Sequence, residues 1–539
     1  MKAQIVIPMS GIGTRFKARG YQMPKPLIPV AGRPMIAHVL DMYPNDLDFV
    51  FIVNEQHFKS DEYRLKDVLL SLRPKARIVQ VSPHKTGPSG AIVLAESQID
   101  TDLPTIVNYC DFTCTWEYEK YSAMLNECDG VIATYSGFHP HMIRSTRFAY
   151  VSGEGNHVQG IQEKQPYTSN PTNERASSGT YGFSSGGLML DAIHRQIERK
   201  IELSGEFYTS LTYVPLLEDG LDIRSFNIKS FFQWGTPEDL RDFLQVYESF
   251  ECLSKKSRST KSNNSTVLLA AGNGSRFADA GYTTPKASLP LSGKPVWLQV
   301  LNTVRGTGKV VTVCRESVVD TMLASSHGEV IELSSVTQGQ AESARMGLER
   351  ISAKKEPVVV ASCDALFPAG YNENLIRNNA DIIVWAYNST AKSDLSPAQF
   401  SWVKVDQNYR VIDIRLKSAP SDDGDWFVMS GTFTFRDAET ANSYISDIIK
   451  RNIRINSEFY VDSAIQIAIE RGERVIADLR TDFIGLGTPE EYETFCYWQR
   501  TFHNWKSSTY DLGKDPMLES GGSPPSAIGL RSYFQDRIV

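Results

Sequence analysis

The stretch Ile5–Met35, IVIPMSGIGTRFKARGYQMPKPLIPVAGRPM, returns at Val267–Val296 as VLLAAGNGSRFADAGYTTPKASLPLSGKPV, and no other feature limits the possible folds as tightly. In each copy an apolar run of strand length ends in Gly-x-Gly-[Thr/Ser]-Arg-Phe, and a Pro-Lys dipeptide follows. Arg15 and Arg276 are 261 residues apart (276 − 15), and so are Lys25 and Lys286 (286 − 25). A gapless match of this length is a duplicated domain.

Glycines after a strand let backbone N–H groups approach an anion with no Cβ in the way, so each turn reads as a phosphate cradle. Gly11, Gly13 and Thr14 form it in the first copy, and Gly272, Gly274 and Ser275 in the second. Arg15 and Lys25, with Arg276 and Lys286, add positive charge at two points along one ligand. The spacing is neither that of a Walker A loop nor that of the dinucleotide Gly-x-Gly-x-x-Gly. Two further residues recur at strand ends, Asp111 in Asn-Tyr-Cys-Asp and Asp364 in Ala-Ser-Cys-Asp. An aspartate left bare beside an apolar run is costly, and Mg²⁺ prefers carboxylate oxygen while bridging to substrate phosphate, so both are candidate Mg²⁺ ligands.

Length and composition narrow the class. A chain of 539 residues is too long for one core, and the repeat implies two large domains, 1–251 and 266–502, with a polar linker at 252–265 and a tail at 503–539. With 41% apolar residues, 22% charged residues and a net charge of −7, it is ordinary globular material and is not built to bind nucleic acid or an anionic membrane at large. No apolar run approaches the ~18–20 residues of a membrane span, which leads to the expectation of a cytoplasmic protein. Seven cysteines without a paired Cys-x-x-Cys set indicate neither a disulfide frame nor structural zinc.

Apolar runs at Phe49–Val53, Ile78–Val81, Thr105–Val107 and Val131–Tyr135 alternate with helix-like stretches, the pattern of an α/β domain with a mainly parallel sheet. Ligands in such domains sit beyond the carboxyl ends of the strands, where the glycine turn lies. Thr236-Pro237-Glu238 and Thr488-Pro489-Glu490 predict helix starts, with Thr as N-cap and Pro in the first turn.

Gly-x-Gly-[Thr/Ser]-Arg followed by Pro-Lys-Pro-Leu-Ile-Pro-Val-x-Gly-[Arg/Lys]-Pro-Met resembles the sugar-1-phosphate nucleotidyltransferases, especially those found with bacterial capsule and surface-polysaccharide pathways. The resemblance implies two tandem Rossmann-like domains that join a nucleoside triphosphate to a sugar-1-phosphate or similar small phosphate and release pyrophosphate. It also implies roles along the chain. The segments at Gly87 and Gly339 would pack against the base, ahead of a helix expected at Ala91–Ser97 in the first half. Lys164, in Glu163-Lys164, would contact the acceptor phosphate, with Lys417, in Leu416-Lys417, as its counterpart. Gly179 and Gly431 would let the sugar approach the backbone, and Glu206 and Glu458 would bond its hydroxyls. Many relatives carry a second metal aspartate where this chain has Gln233 and Gly485, so a two-metal arrangement would need another carboxylate.

Two other readings stay open here. One is a regulatory or scaffold protein whose domains bind nucleotide without turnover. The other is a glycosyltransferase of similar fold, but its Asp-x-Asp motif is missing from Asp111-Phe112-Thr113 and Asp364-Ala365-Leu366. Nucleobase, acceptor and oligomeric state are not legible.

Overall fold

The computed structural model describes residues 2–511 apart from 144, 255–261, 293, 353–354, 371–379, 389–396 and 422–423. It divides into two compact units, one made of the chain up to Leu244 with Asn504–Ser507, the other of Gln245–His503 with residues 508–511. The stretch read as a linker begins inside a helix, Pro237–Ser254, and its residues 255–261 lie outside the described part. In the stretch read as a tail, Trp505 and Tyr510 are buried, and residues beyond 511 are outside the described part.

In the first unit β1 (Gln4–Met9), β2 (Asp48–Asn54), β3 (Arg77–Val81) and β4 (Thr105–Asn108) lie parallel in the order β3-β2-β1-β4. Covered on both faces, their residues read as continuous apolar runs. Ile5, Val6, Ile7, Val50, Phe51, Ile52 and Val53 are all fully buried. After β5 (Phe112–Thr115), which leaves the main sheet, come β6 (Gly130–Tyr135), β7 (Ala149–Ser152), β8 (Gly160–Glu163), β9 (Arg175–Phe183), β10 (Ile223–Asn227) and β11 (Ser230–Gln233). The sheet continues β4-β9-β6-β10, with β9 antiparallel to both neighbours and β7 and β8 attached at the start of β9.

The second unit repeats this plan. Its strands are β12 (Ser265–Ala270), β13 (Val310–Cys314), β14 (Glu329–Glu332), β15 (Val358–Ser362), β16 (Ala365–Leu366), β17 (Ile382–Tyr387), β18 (Trp402–Val405), β19 (Val411–Arg415), β20 (Trp426–Phe435), β21 (Val475–Leu479) and β22 (Ile484–Gly485). The order β14-β13-β12-β15-β20-β17-β21 matches the first sheet strand for strand, with β18 and β19 in place of β7 and β8. Two α/β domains with mainly parallel sheets are therefore present, as the sequence pattern implies. The antiparallel β9 and β20 were not legible, because a buried strand reads the same in either direction.

Two local features aim residues at one sheet edge. On β9 the pairing steps from Ser177 to Tyr181 while β6 steps only from Thr134 to Ile132, a bulge around Gly179. The same bulge falls around Gly431, where Met429 to Phe433 on β20 spans Ala386 to Val384 on β17. Beside the main sheets, β5 pairs with β11 and β16 with β22, which brings the chain after Gln233 and Gly485 back to the two aspartates. Trp234 N–H donates to the Asp111 carbonyl at 3.0 Å, and Leu486 N–H to that of Asp364 at 2.8 Å.

The helix starts at Thr236 and Thr488 form as expected. Thr236 Oγ1 accepts from Asp239 N at 3.1 Å while Asp239 Oδ2 accepts from Thr236 N at 3.2 Å; Thr488 Oγ1 and Glu491 Oε2 do the same. These are reciprocal capping boxes. Thr488→Ala is expected to lower stability by about 1 kcal/mol, read as a lower urea midpoint with unchanged slope. An unchanged midpoint would mean that the cap contributes nothing.

Candidate active sites

Each glycine turn follows the carboxyl end of its central strand. Gly13 and Gly274, at φ +70° and +62°, precede the short helices Thr14–Ala18 and Ser275–Asp279. This left-handed conformation is one glycine adopts without penalty. Phe16 and Phe277 are buried and anchor these helices, while the adjoining Thr14, Arg15, Ser275 and Arg276 are exposed. A side chain added at Gly11 or Gly272 would meet nothing within 4 Å, so the surface is open at both.

Lys25 and Lys286 open helical turns, Lys25–Leu27 and Lys286–Ser288, and reach across to the aspartates. Lys25 Nζ donates to Asp111 Oδ2 at 2.6 Å and to the Gly235 carbonyl at 2.8 Å. Lys286 Nζ donates to Asp364 Oδ2 at 2.7 Å. Burial alone would push the Asp364 carboxyl up, but the charge and hydrogen bond of Lys286 outweigh it and hold it at about 2. Burial works against the Lys286 ammonium too, and the charge of Asp364 raises it above its ordinary value. The charge of Arg276 is felt at both groups. The neighbouring thiols are pushed up by burial, Cys110 to about 12 and Cys363 to about 11, so they stay protonated and are unsuited to nucleophilic or redox work.

The segment at Gly87 is the first turn of a helix, Gly87–Val93, rather than a loop ahead of one at Ala91–Ser97. Pro88 starts the helix earlier, since its fixed φ suits a first turn. Gly87 has φ +78°, and a Cβ there would lie 2.8 Å from Phe207 N. Ser89 N donates to the Phe207 carbonyl at 3.1 Å and Phe207 N to the Thr86 carbonyl at 3.0 Å. The second half repeats this clasp around Gly339 and Phe459. At Gly339, φ is +137° and a Cβ would lie 2.4 Å from Phe459 N and 2.5 Å from its O, all backbone atoms. Gly339→Ala is therefore expected to cost about 1–3 kcal/mol in backbone strain alone and to loosen the clasp. The check is the denaturation midpoint together with hydrogen exchange at Ala341; unchanged exchange would refute it.

Further along the chain, Lys164 Nζ donates to the Tyr208 hydroxyl, which donates to Glu206 Oε2 at 2.5 Å. Glu163, beside Lys164, accepts from Ser210 Oγ at 2.6 Å; burial raises its carboxyl above the ordinary range despite that bond. In the second half Lys417 Nζ donates to the Gln399 carbonyl at 3.0 Å and sits 5.5 Å from the centre of the Tyr460 ring. A Cβ at Gly179 would meet the Phe112 and Tyr109 rings at 3.0 and 3.1 Å, and one at Gly431 would meet Ser362 Oγ at 3.1 Å.

The structure thus brings Lys25 to Asp111, Lys286 to Asp364, and Lys164 to Glu206 through Tyr208. Gly87 lies against Glu206, whose Cβ is 3.2 Å from where a Cβ of Gly87 would be. Sequence reasoning missed Tyr208 and Tyr460, although their spacing of 252 (460 − 208) equals that of Glu206 and Glu458 (458 − 206). It also missed His84, whose ring nitrogens bond Ser10 Oγ and Thr86 Oγ1, both at 2.9 Å, joining the glycine turn to the next landmark.

The donor set at the two aspartates suits a hard cation, since every group is oxygen. Asp111 lies beside the Gly235 carbonyl, which shares Lys25 with it. Asp364 Oδ2 and Glu491 Oε2 flank Gly487, lying 3.2 and 3.4 Å from where its Cβ would be. One carboxylate, or two, with substrate phosphate is the kind of set Mg²⁺ takes. Among the described residues no group of three or more His, Cys, Asp and Glu is placed to hold a metal by itself, and no helix is long and apolar enough to cross a membrane.

Two family models match the chain in tandem, the nucleotidyl transferase model over residues 5–240 and the MobA-like NTP transferase domain model over 266–411. A mannose-1-phosphate guanyltransferase of Emericella nidulans is 24% identical over 286 residues, 51% of this chain and 71% of that protein. Its namesake in Neurospora crassa is 23% identical over 282 residues, again 51% and 71%. Among solved structures, a nucleoside-diphosphate-sugar pyrophosphorylase from Vibrio cholerae is 22% identical, covering 45% of this chain and 99% of that one at a TM-score of 0.38.

Proposed function

From the premise that the chain carries two nucleotidyltransferase domains in tandem, we propose that each half, 1–251 and 266–502, transfers a nucleotidyl group from a nucleoside triphosphate to a sugar-1-phosphate or similar small phosphate. Pyrophosphate leaves, and the two halves take different acceptors. The observation that carries this reading is the recurrence of one charged frame, Arg15, Lys25, Asp111 and Lys164 against Arg276, Lys286, Asp364 and Lys417, on sheets of identical strand order. A passenger domain would shed such charges as readily as their neighbours, since a buried cation contributes little to packing.

The acceptor's phosphate oxygen is the nucleophile. It is already ionised near pH 7, so the protein need only place two anions in line and offset their charge. The glycine turn with Thr14 or Ser275, and Arg15 or Arg276, hold the β- and γ-phosphates. Lys25 or Lys286 meets the α-phosphate, and Lys164 or Lys417 brings in the acceptor. The segments at Gly87 and Gly339 border the base, and Gly179 with Glu206, or Gly431 with Glu458, border the acceptor's hydroxyls. Asp111 and Asp364, the latter with Glu491, would hold Mg²⁺, which supplies charge neutralisation on the triphosphate when bound. Lys25 and Lys286 are paired with these carboxylates, so each lysine would exchange its carboxylate for the α-phosphate when a triphosphate binds.

A cytoplasmic enzyme supplying nucleotide-activated sugars for capsule or surface polysaccharide is the setting this reading implies. ³¹P NMR of the purified chain with Mg²⁺, nucleoside triphosphates and sugar 1-phosphates tests it. Equal amounts of pyrophosphate and a nucleoside diphosphate sugar are expected; orthophosphate as the main product would contradict it.

A further inference from the structure

Tyr208 is where two of the proposed functional groups meet. Its hydroxyl accepts from Lys164 Nζ and donates to Glu206 Oε2, and the Lys164 ammonium lies 4.3 Å from the centre of its ring. Burial, the bond to Glu206 and the charges of Glu206 and Glu163 raise the phenol above its ordinary value, while the charge of Arg15 opposes them. The phenol therefore stays protonated and keeps donating to Glu206.

In the second half the Tyr460 ring is centred 5.5 Å from Lys417 Nζ, but that ammonium donates to the Gln399 carbonyl instead. Both lysines hold the left-handed backbone that side chains avoid, Lys164 at φ +58° and Lys417 at φ +46°. Lys164 is pinned there by its N–H, which donates to the Phe148 carbonyl at 2.9 Å. Strain kept at one position in both copies is the mark of a side chain that must be aimed.

We infer that Tyr208 is a positioning residue for the acceptor. It holds Lys164 and Glu206 in register, and gives up the lysine when an acceptor phosphate arrives. The acceptor's part in this rests on the proposed function; the hydrogen-bonded chain does not. A single tyrosine thereby links the group that takes the acceptor phosphate to the group that takes its hydroxyls.

The test uses the full chain with Tyr208→Phe, which keeps the ring and removes the hydroxyl. Acetic anhydride labelling, read peptide by peptide, reports whether Lys164 is held. Its labelling should rise roughly three- to tenfold, the ratio set by one ordinary hydrogen bond, with Lys417 unchanged as the internal control. With mannose 1-phosphate or glucose 1-phosphate as acceptor, KM for the acceptor should rise by a similar factor while KM for the triphosphate holds. Unchanged Lys164 labelling, or unchanged acceptor KM in a protein whose labelling has risen, would overturn the inference. If the parent protein releases no pyrophosphate, the proposed function fails and the labelling alone decides on the tyrosine.

Discussion

Lys25→Ala and Lys286→Ala, made separately in the full chain, are each expected to remove a different activity. A charge-assisted hydrogen bond is worth about 1.5–3 kcal/mol, so losing one such cation should slow its half roughly 10- to 100-fold. The loss should exceed that of an exposed cation, for two reasons visible in the geometry. Each lysine is largely buried, with 18% of its side chain exposed, and each is the partner of a carboxylate, Asp111 or Asp364. In the proposed mechanism, truncation removes the cation meant for the α-phosphate and also leaves a carboxylate without its lysine partner. Residual activity should keep the acceptor preference of the untouched half. If Lys286→Ala alters neither any reaction nor triphosphate binding, the second domain is structural.

Asp111→Asn and Asp364→Asn should be more damaging still. If these carboxylates hold Mg²⁺, the substitution removes a ligand and several kcal/mol of charge stabilisation, roughly several-hundred-fold in rate in the affected half. Excess chelator should silence both halves together. The amide keeps the shape of the carboxyl, so circular dichroism and the denaturation midpoint provide the control for folding. Full activity in excess chelator would refute the metal assignment. The second half offers a sharper comparison, because Glu491 already caps its helix through Gly487 N at 2.9 Å. Glu491→Gln should leave that cap in place while weakening Mg²⁺, and an unchanged Mg²⁺ requirement would leave Asp364 as the only protein ligand.

What could be read in the sequence was what is local or what is repeated. The cations and aspartates stood out because duplication preserved their offsets, and the helix starts at Thr236 and Thr488 because an N-cap is a local signal. The parallel strands were legible as apolar runs. What escaped depends on contacts between distant segments. Gly87 reads as a base-facing glycine, yet its close neighbour here is the Phe207 backbone, 120 residues on (207 − 87). Tyr208 was missed because its partners, Lys164 and Glu206, meet only when β8 and the segment after Gly205 are brought together. That Lys25 and Lys286 would close on Asp111 and Asp364 was likewise hidden, since 86 and 78 residues separate the partners.

One measurement bears most directly on tandem nucleotidyl transfer. Pyrophosphate release by the full chain with Mg²⁺ is followed over ATP, CTP, GTP and UTP, each against mannose 1-phosphate, glucose 1-phosphate and glycerol 3-phosphate, beside the Lys25→Ala/Lys286→Ala double variant. The account predicts release that requires both a triphosphate and an acceptor, falls on more than one acceptor, and is lost in the double variant. Release that needs no acceptor, or that survives in the double variant, would contradict it.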